Sequence, residues 1–221
     1  MTSQNDAPAH PRRGWADKRQ AIIRGARTVF GRDGYAGIDA IATEAGVSTR
    51  TIYNHFQDKE QLFSCAIQES AVQVRDALVE QMSRHLDTVT DLEADLLALA
   101  HAWVASMAQF PDHFALVRLM TAEANRFPAE ALDAWQELGP RAARAALAHH
   151  LGLLAGRGLL EIGDPDRAAR HFHLLVFAEV TERSHHGAVP LDEAVITEII
   201  TAGVRTFLRG HIPPPGAGRQ Q

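Results

Sequence analysis

From about Trp15 to Arg209 the apolar residues of this chain recur at i, i+3 and i+4, and no convincing period-two alternation interrupts them. A chain patterned in this way buries its apolar area by packing helix on helix, so an all-α fold is expected. Glycines, prolines and capping residues divide the pattern into nine helices. The first runs over about 15–32, with Ile22, Ala26, Val29 and Phe30 on one face. The second, about Ile38–Ala45, ends at Gly46, and the third, about Thr49–Phe56, has Ser48 as its N-cap. The fourth starts at Asp58, with Gln61 at the capping-box position, and carries Phe63, Ile67, Ala71, Val74, Leu78 and Met82 as its buried stripe to about His85.

The fifth helix covers about Asp91–Gln109 and the sixth about Asp112–Arg126. Phe127-Pro128 opens a long seventh helix to about Arg157, kinked or broken at Gly139-Pro140. Asp164-Pro165 opens the eighth, to about His185, and the ninth runs over about Leu191–Arg209. Residues 1–14 read as a disordered arm, 15–60 as an N-terminal three-helix domain, 61–210 as a helical body joined to it through the fourth helix, and 211–221 as a disordered tail.

The chain has 221 residues and a single cysteine, Cys65, so no internal disulfide can form. No secretion-type apolar segment and no apolar run long enough to span a membrane is present, and a cytoplasmic location is expected. Net charge is −5, but it is unevenly placed. Residues 1–56 hold eight Lys and Arg against five Asp and Glu, whereas the remainder is acidic. A nucleic-acid-binding face therefore belongs in the first quarter of the chain.

That quarter contains Ala45–Lys59, AGVSTRTIYNHFQDK: a tight turn, a short polar helix and a second helix start. This is the layout of a helix-turn-helix whose second helix enters the DNA major groove. Arg50 and Asn54 lie four residues apart, with Thr51 and His55 one step round, while Ile52 and Phe56 fall on the opposite side. Arginine reads guanine O6/N7 and asparagine reads adenine N6/N7, each with two hydrogen bonds. Thr, Tyr and His suit phosphate oxygens, and Lys59 sits at a helix N-terminus that favours a phosphate.

Arg19–Ile67 resembles the DNA-binding domain of the tetracycline-repressor (TetR) family, through Phe30, Gly34, Ile41-Ala42, Ala45-Gly46-Val47-Ser48, Ile52-Tyr53, His55-Phe56, Lys59-Glu60 and Leu62-Phe63. The resemblance implies DNA contacts at Arg50, Thr51, Tyr53, Asn54, His55 and Lys59, with Thr43 as a further candidate and Arg12-Arg13 as a minor-groove or phosphate arm. The chain departs from the family pattern in one place. Two residues that usually precede the second helix, often Thr-Thr or Thr-Ser, are absent, and Gly37 runs straight into Ile38. The second helix is therefore expected to lack its hydroxyl cap and to be shortened or re-registered, still packed through Ile38 and Ile41.

Residues 90–210 are similar to the ligand-binding and dimerisation domain of the same family, and 111–142 with 159–176 resemble a broad-specificity repressor subgroup. The resemblance implies a homodimer whose last two long helices form a four-helix bundle, with Phe172, Leu175, Val176, Val180, Ile196, Ile199, Ile200 and Val204 at the interface. It also implies a palindromic operator, with reading helices about 34–36 Å apart or a multiple of one DNA turn. A mostly apolar effector cavity is expected among the fifth, sixth, seventh and eighth helices. Trp103, Met107, Phe110, Phe114, Met120, Phe127, Trp135 and Phe177 supply apolar surface there. His101, Arg118, Glu123, His149, His173 and Glu179 are the polar candidates for orienting a ligand. Effector binding would shift the sixth helix against the fourth and change the spacing of the reading helices.

Three other readings compete. Twelve histidines raise a metal sensor, but His149-His150 and His185-His186 are adjacent and diverge on a helix, and no metal-site motif appears. No nucleophile elbow, phosphate loop or dinucleotide turn argues for an enzyme, and no cofactor is expected. A helical dimer without DNA binding is the remaining alternative.

Overall fold

A computed structural model describes residues 11–212. The arm expected over 1–10, the side chains of Arg12 and Arg13, and the tail from Pro213 lie outside the described residues. Eleven α-helical segments follow one another: α1 (Pro11–Asp33), α2 (Ile38–Ala45), α3 (Thr49–His55), α4 (Lys59–Leu86), α5 (Leu92–Gln109), α6 (Pro111–Ala122), α7 (Ala129–Gln136), α8 (Ala142–Gly156), α9 (Pro165–His173), α10 (Glu179–Arg183) and α11 (Glu193–His211). π-helical turns at Glu137–Arg141 and Leu174–Ala178 join α7 to α8 and α9 to α10 without a break, so the described residues form nine continuous helices and no strand. The first helix begins at Pro11, so 11–14 are helical where an arm was expected. The sixth ends at Ala122, and a 3₁₀ turn, Ala124–Arg126, follows it.

The caps are largely those the sequence implies. Ser48 accepts from the Thr51 amide at the start of α3, and Asp58 accepts from the Gln61 amide at 2.7 Å at the start of α4. Gln61 Oε1 reaches back to the Gln57 amide rather than to that of Asp58. Gly37 precedes α2 in extended geometry and supplies no side-chain cap, as the missing residues predict. Gly46 takes the left-handed C-cap conformation at φ 65°, which costs glycine nothing. Pro140 lacks the N–H that would bond the Gln136 carbonyl. The chain answers with a π turn rather than the kink or break expected there.

Two apolar cores share α4, a rod of about 42 Å at 1.5 Å per residue. Its first half gives Leu62, Phe63, Ala66, Ile67 and Ala71 to a core with α1, α2 and α3, and its second half gives Val74, Leu78, Met82 and Leu86 to the body. α6 also serves both: Leu116, Val117 and Met120 join the first core and Phe114 the second. Phe127 and Trp135 complete the first core from the body side.

Most of the residues expected at an interface on the last helices also belong to the protomer core. Phe172, Val176, Val180, Ile199, Ile200 and Val204 are buried inside the protomer, Phe172 and Val176 with no exposed surface. They hold α9, α10 and α11 onto α5. Leu175 and Ile196 are partly buried against the same core. The outward face of these helices carries Leu174, 52% exposed, with Ala202 and Thr206.

Candidate functional site

Helix α3 is pinned from beneath by Ile52 and Phe56, both buried, so its register is fixed. Arg50, Tyr53 and Asn54 then project outward, Tyr53 with 56% of its surface exposed. These three form a ridge of donors and one flat aromatic ring. Thr51 lies partly buried, its hydroxyl 2.9 Å from the Ser48 hydroxyl, and so serves the cap first. The Thr43 hydroxyl bonds the Asp39 carbonyl within α2.

His55 and Lys59 are less free than the sequence implies. The His55 ring packs 4.5 Å from the Trp15 ring, and its Nδ1 is shut from solvent without a partner. Burial, then the charges of Arg19 and Lys18, hold its imidazole below the ordinary histidine range. The Lys59 ammonium lies 3.7 Å above the Tyr35 ring and 3.4 Å from the Tyr35 carbonyl. Arg126, from the turn after α6, sits against the same ring at 4.9 Å. Tyr35 therefore links the end of α6 to the start of α4.

A cavity of about 500 Å³ opens among α4, α5, α6, the two π turns and their flanking helices. Trp103, Phe114, His173 and Phe177 line it, as the sequence predicts. Of the remaining candidates, Met107 lines a smaller cavity of about 330 Å³ beside Ser184 and Gly187. Phe110 packs against the body core away from both. Arg118 donates to the His186 carbonyl at 2.8 Å, outside the cavity. Glu123 is paired with Arg126, and His149 is exposed on α8 while its neighbour His150 is buried. Trp135, also expected there, is part of the wall, whereas sequence reasoning missed Ser106, His113, Arg144 and Thr181. Phe114 was legible as a candidate, but its neighbour His113 was not, although both line the cavity.

His113 is the polar hinge of the site. Its Nδ1 lies 2.8 Å from the Ser70 hydroxyl of α4, and burial pushes its imidazole down to about 4, so it is neutral at physiological pH. His113, Phe114 and Val117 face the cavity from the helix whose Leu116 and Met120 pack against the first core. Both π turns supply wall: Gly139 and Pro140 on one side, Phe177 and Ala178 on the other. No group of three or more His, Cys, Asp or Glu able to hold a metal occurs among the described residues, and no described helix is long and apolar enough to cross a membrane.

Comparison with known proteins places these parts in context. Residues 94–211 match the family described as AefR-like transcriptional repressor, C-terminal domain, and residues 22–65 match bacterial regulatory proteins of the tetR family. The chain is 31% identical over 93 residues to the transcriptional repressor AcnR of Corynebacterium diphtheriae, covering 40% of this chain and 46% of that protein. It is 35% identical over 89 residues to the transcriptional activator FasR of Mycolicibacterium smegmatis, covering 39% of each. The chain thus spans less than half the length of these relatives. A solved structure from Mesorhizobium loti MAFF303099, assigned to the TetR family, is 30% identical with a TM-score of 0.83, covering 90% of this chain and 98% of that one. The flavonoid-responsive regulator FrrA is also 30% identical over the same shares, with a TM-score of 0.67.

Proposed function

Since this chain belongs to the TetR family of DNA-binding transcriptional regulators, we propose that it is a homodimeric repressor, released from a palindromic operator by a small, mostly apolar effector. A cytoplasmic location belongs to this reading. The observation that carries it is the double role of α6, which walls the cavity with His113, Phe114 and Val117 while Leu116 and Met120 sit in the core beneath α1. An effector large enough to fill the cavity displaces that wall, and the DNA-binding domain moves with it. Two links support the transfer: Ser70–His113 ties α6 to α4, and Arg126–Tyr35–Lys59 ties the end of α6 to the turn before α2 and the start of α4. A population shift of this kind needs only that the effector bind the released arrangement more tightly.

On the DNA, Arg50 and Asn54 are the base readers and Tyr53 a backbone or thymine contact. Thr51, Thr43 and Lys59 contact phosphates after leaving their present partners, and His55 positions α3 through Trp15. The dimer pairs through the outward face of the C-terminal helices, around Leu174, Ala202 and Thr206, rather than through the buried stripes. The test is selection of random duplex DNA by the purified full chain at near-physiological salt, followed by sequencing. A palindromic motif is the expected result, and loss of its binding on adding cavity ligands completes the reading. No enrichment by folded, dimeric protein, with or without prior unfolding and refolding to strip bound molecules, overturns it.

A further inference from the structure

Arg144 lines the cavity half-buried, and among the described residues its guanidinium makes no hydrogen bond and no ion pair. The other arginine of the lining, Arg75, bonds Asp76 and the Leu138 carbonyl. The charges that act on Arg144 are those of Arg170 and Arg141, both cationic, and Arg141 is itself taken by Asp133 and Glu137. Burial and these two neighbours hold Arg144 below the usual arginine range, which marks a cation short of a counter-charge.

The remaining titratable groups of the lining do not supply one. His113 is turned to Ser70, and His173 is kept neutral by burial and by Arg144 itself, pushed down to about 4. Burial also holds His186 below its ordinary range. Glu182 is the single carboxylate among the cavity residues, and it stands exposed at the rim, where water solvates it. Beside Arg144 the wall is aromatic. The His173 ring lies 5.4 Å from Trp103 and 5.2 Å from Phe177, and Phe177 lies 6.5 Å from Phe114.

We propose that the effector is a flat aromatic molecule bearing an anionic oxygen, a carboxylate or phenolate, with that oxygen held by Arg144 and the ring system laid against Trp103, His173 and Phe177. The proposal rests on the reading of this cavity as the effector site. Arginine offers two parallel N–H donors to a carboxylate, and a desolvated charge without a partner gains more from such a pair than an exposed one does. Neutral His173 adds aromatic surface without competing for the anion, and the cavity volume of about 500 Å³ suits two or three fused rings.

The experiment is calorimetric titration of the full-length protein with one-, two- and three-ring aromatic carboxylates, 2-naphthoate among them, each paired with its neutral amide. Quenching of Trp103 and Trp135 fluorescence, compared in Trp103→Phe, places the bound ring. The best carboxylate is expected to bind about tenfold or more tighter than its amide, the gain of hydrogen bonds to a charged group. In Arg144→Met that gap falls to within about twofold while amide binding persists. The variant gives up no native bond, so its melting temperature should be kept. Arg144→Gln serves as a second variant, and the carboxylate–amide comparison in the unaltered protein stands without either. Amides binding as tightly as their acids, or a gap that survives both substitutions, overturns the assignment of Arg144. Failure of every compound to bind or quench overturns the effector-cavity reading itself.

Discussion

Arg50 and Lys59 carry the same charge at opposite ends of the helix-turn-helix, and their surroundings give them different work. Arg50 stands free on α3, so Arg50→Ala should cost about 1–3 kcal/mol on the preferred sequence and little on others, relaxing choice at one base pair. Lys59→Ala should weaken all duplexes alike and lower the salt slope by about one, because the contact proposed for it is to phosphate alone. It should also lose about 0.5–1 kcal/mol of folding stability with the Tyr35 contact, read in a thermal melt. Fluorescence anisotropy over a salt series separates the two; equal losses on every sequence would contradict these roles. A second residue-scale expectation concerns pH. Two histidines of the cavity lining, His113 and His173, sit at about 4 when folded against 6.5 when free. Below pH 6.5 the unfolded chain binds protons the folded one refuses, so stability should fall as pH drops from about 6.5 toward 4, and be flat above. His113→Gln with His173→Gln should flatten that slope in melts from pH 7 to 5. Arg50 and Asn54 were legible because helical spacing alone sets them on one face. Arg144 and His113 were not, because their meaning depends on which helices pack against α8 and α6, and His149 was chosen over its buried neighbour His150 for the same reason.

Helices carry their own predictions at the points where they start or cross. α2 begins at Gly37 with no side-chain cap, and a Cβ placed there meets nothing within 4 Å. Gly37→Ser should therefore add a few tenths of a kcal/mol, since serine caps an extended N-cap position better than glycine. It should also raise DNA affinity by restoring the hydroxyl that the resemblance places near a phosphate. The opposite holds where α11 crosses the π turn. A Cβ on Gly203 would press into the Leu175 carbonyl, with its carbon at 2.8 Å and the Val176 side chain at 3.3 Å. Gly203→Ala should cost about 1–3 kcal/mol in chemical denaturation, since backbone on both sides leaves nothing flexible to yield. The starts of α3, α4, α5 and α9 were legible because Ser48, Asp58, Asp91 and Asp164 cap them locally. The π turns were not. Pro140 announces a fault in the ladder, but whether the helix breaks or widens is decided by packing, with Gly139 laid so close to α4 that a Cβ would come within 2.8 Å of the Ala71 methyl.

At the scale of the molecule, the lesson of the C-terminal helices is that an apolar stripe reports burial without naming what does the burying. The stripe of Ile196, Ile199, Ile200 and Val204 on the last helix was expected to meet a second chain, and Ile199, Ile200 and Val204 also sit in the protomer's own core, where α5, α9 and α11 cohere. The proposed pairing therefore uses the opposite face. On that side Leu174 is the large apolar side chain, 52% exposed, and Ala202 and Thr206 are exposed on α11. Two substitutions two residues apart separate the possibilities. Val176→Ala empties space in the protomer core and should lower stability by about 1–3 kcal/mol without changing oligomeric state. Leu174→Glu should leave the protomer's melting little altered and shift the protein to monomer in sedimentation, because two glutamates brought together across a twofold axis repel. The monomer keeps its α3 ridge, so affinity for a half-site should survive while binding to the full palindrome collapses to that level, since the second contact is no longer tethered to the first. A Leu174→Glu protein that remained dimeric and held the full palindrome would remove this face from the interface.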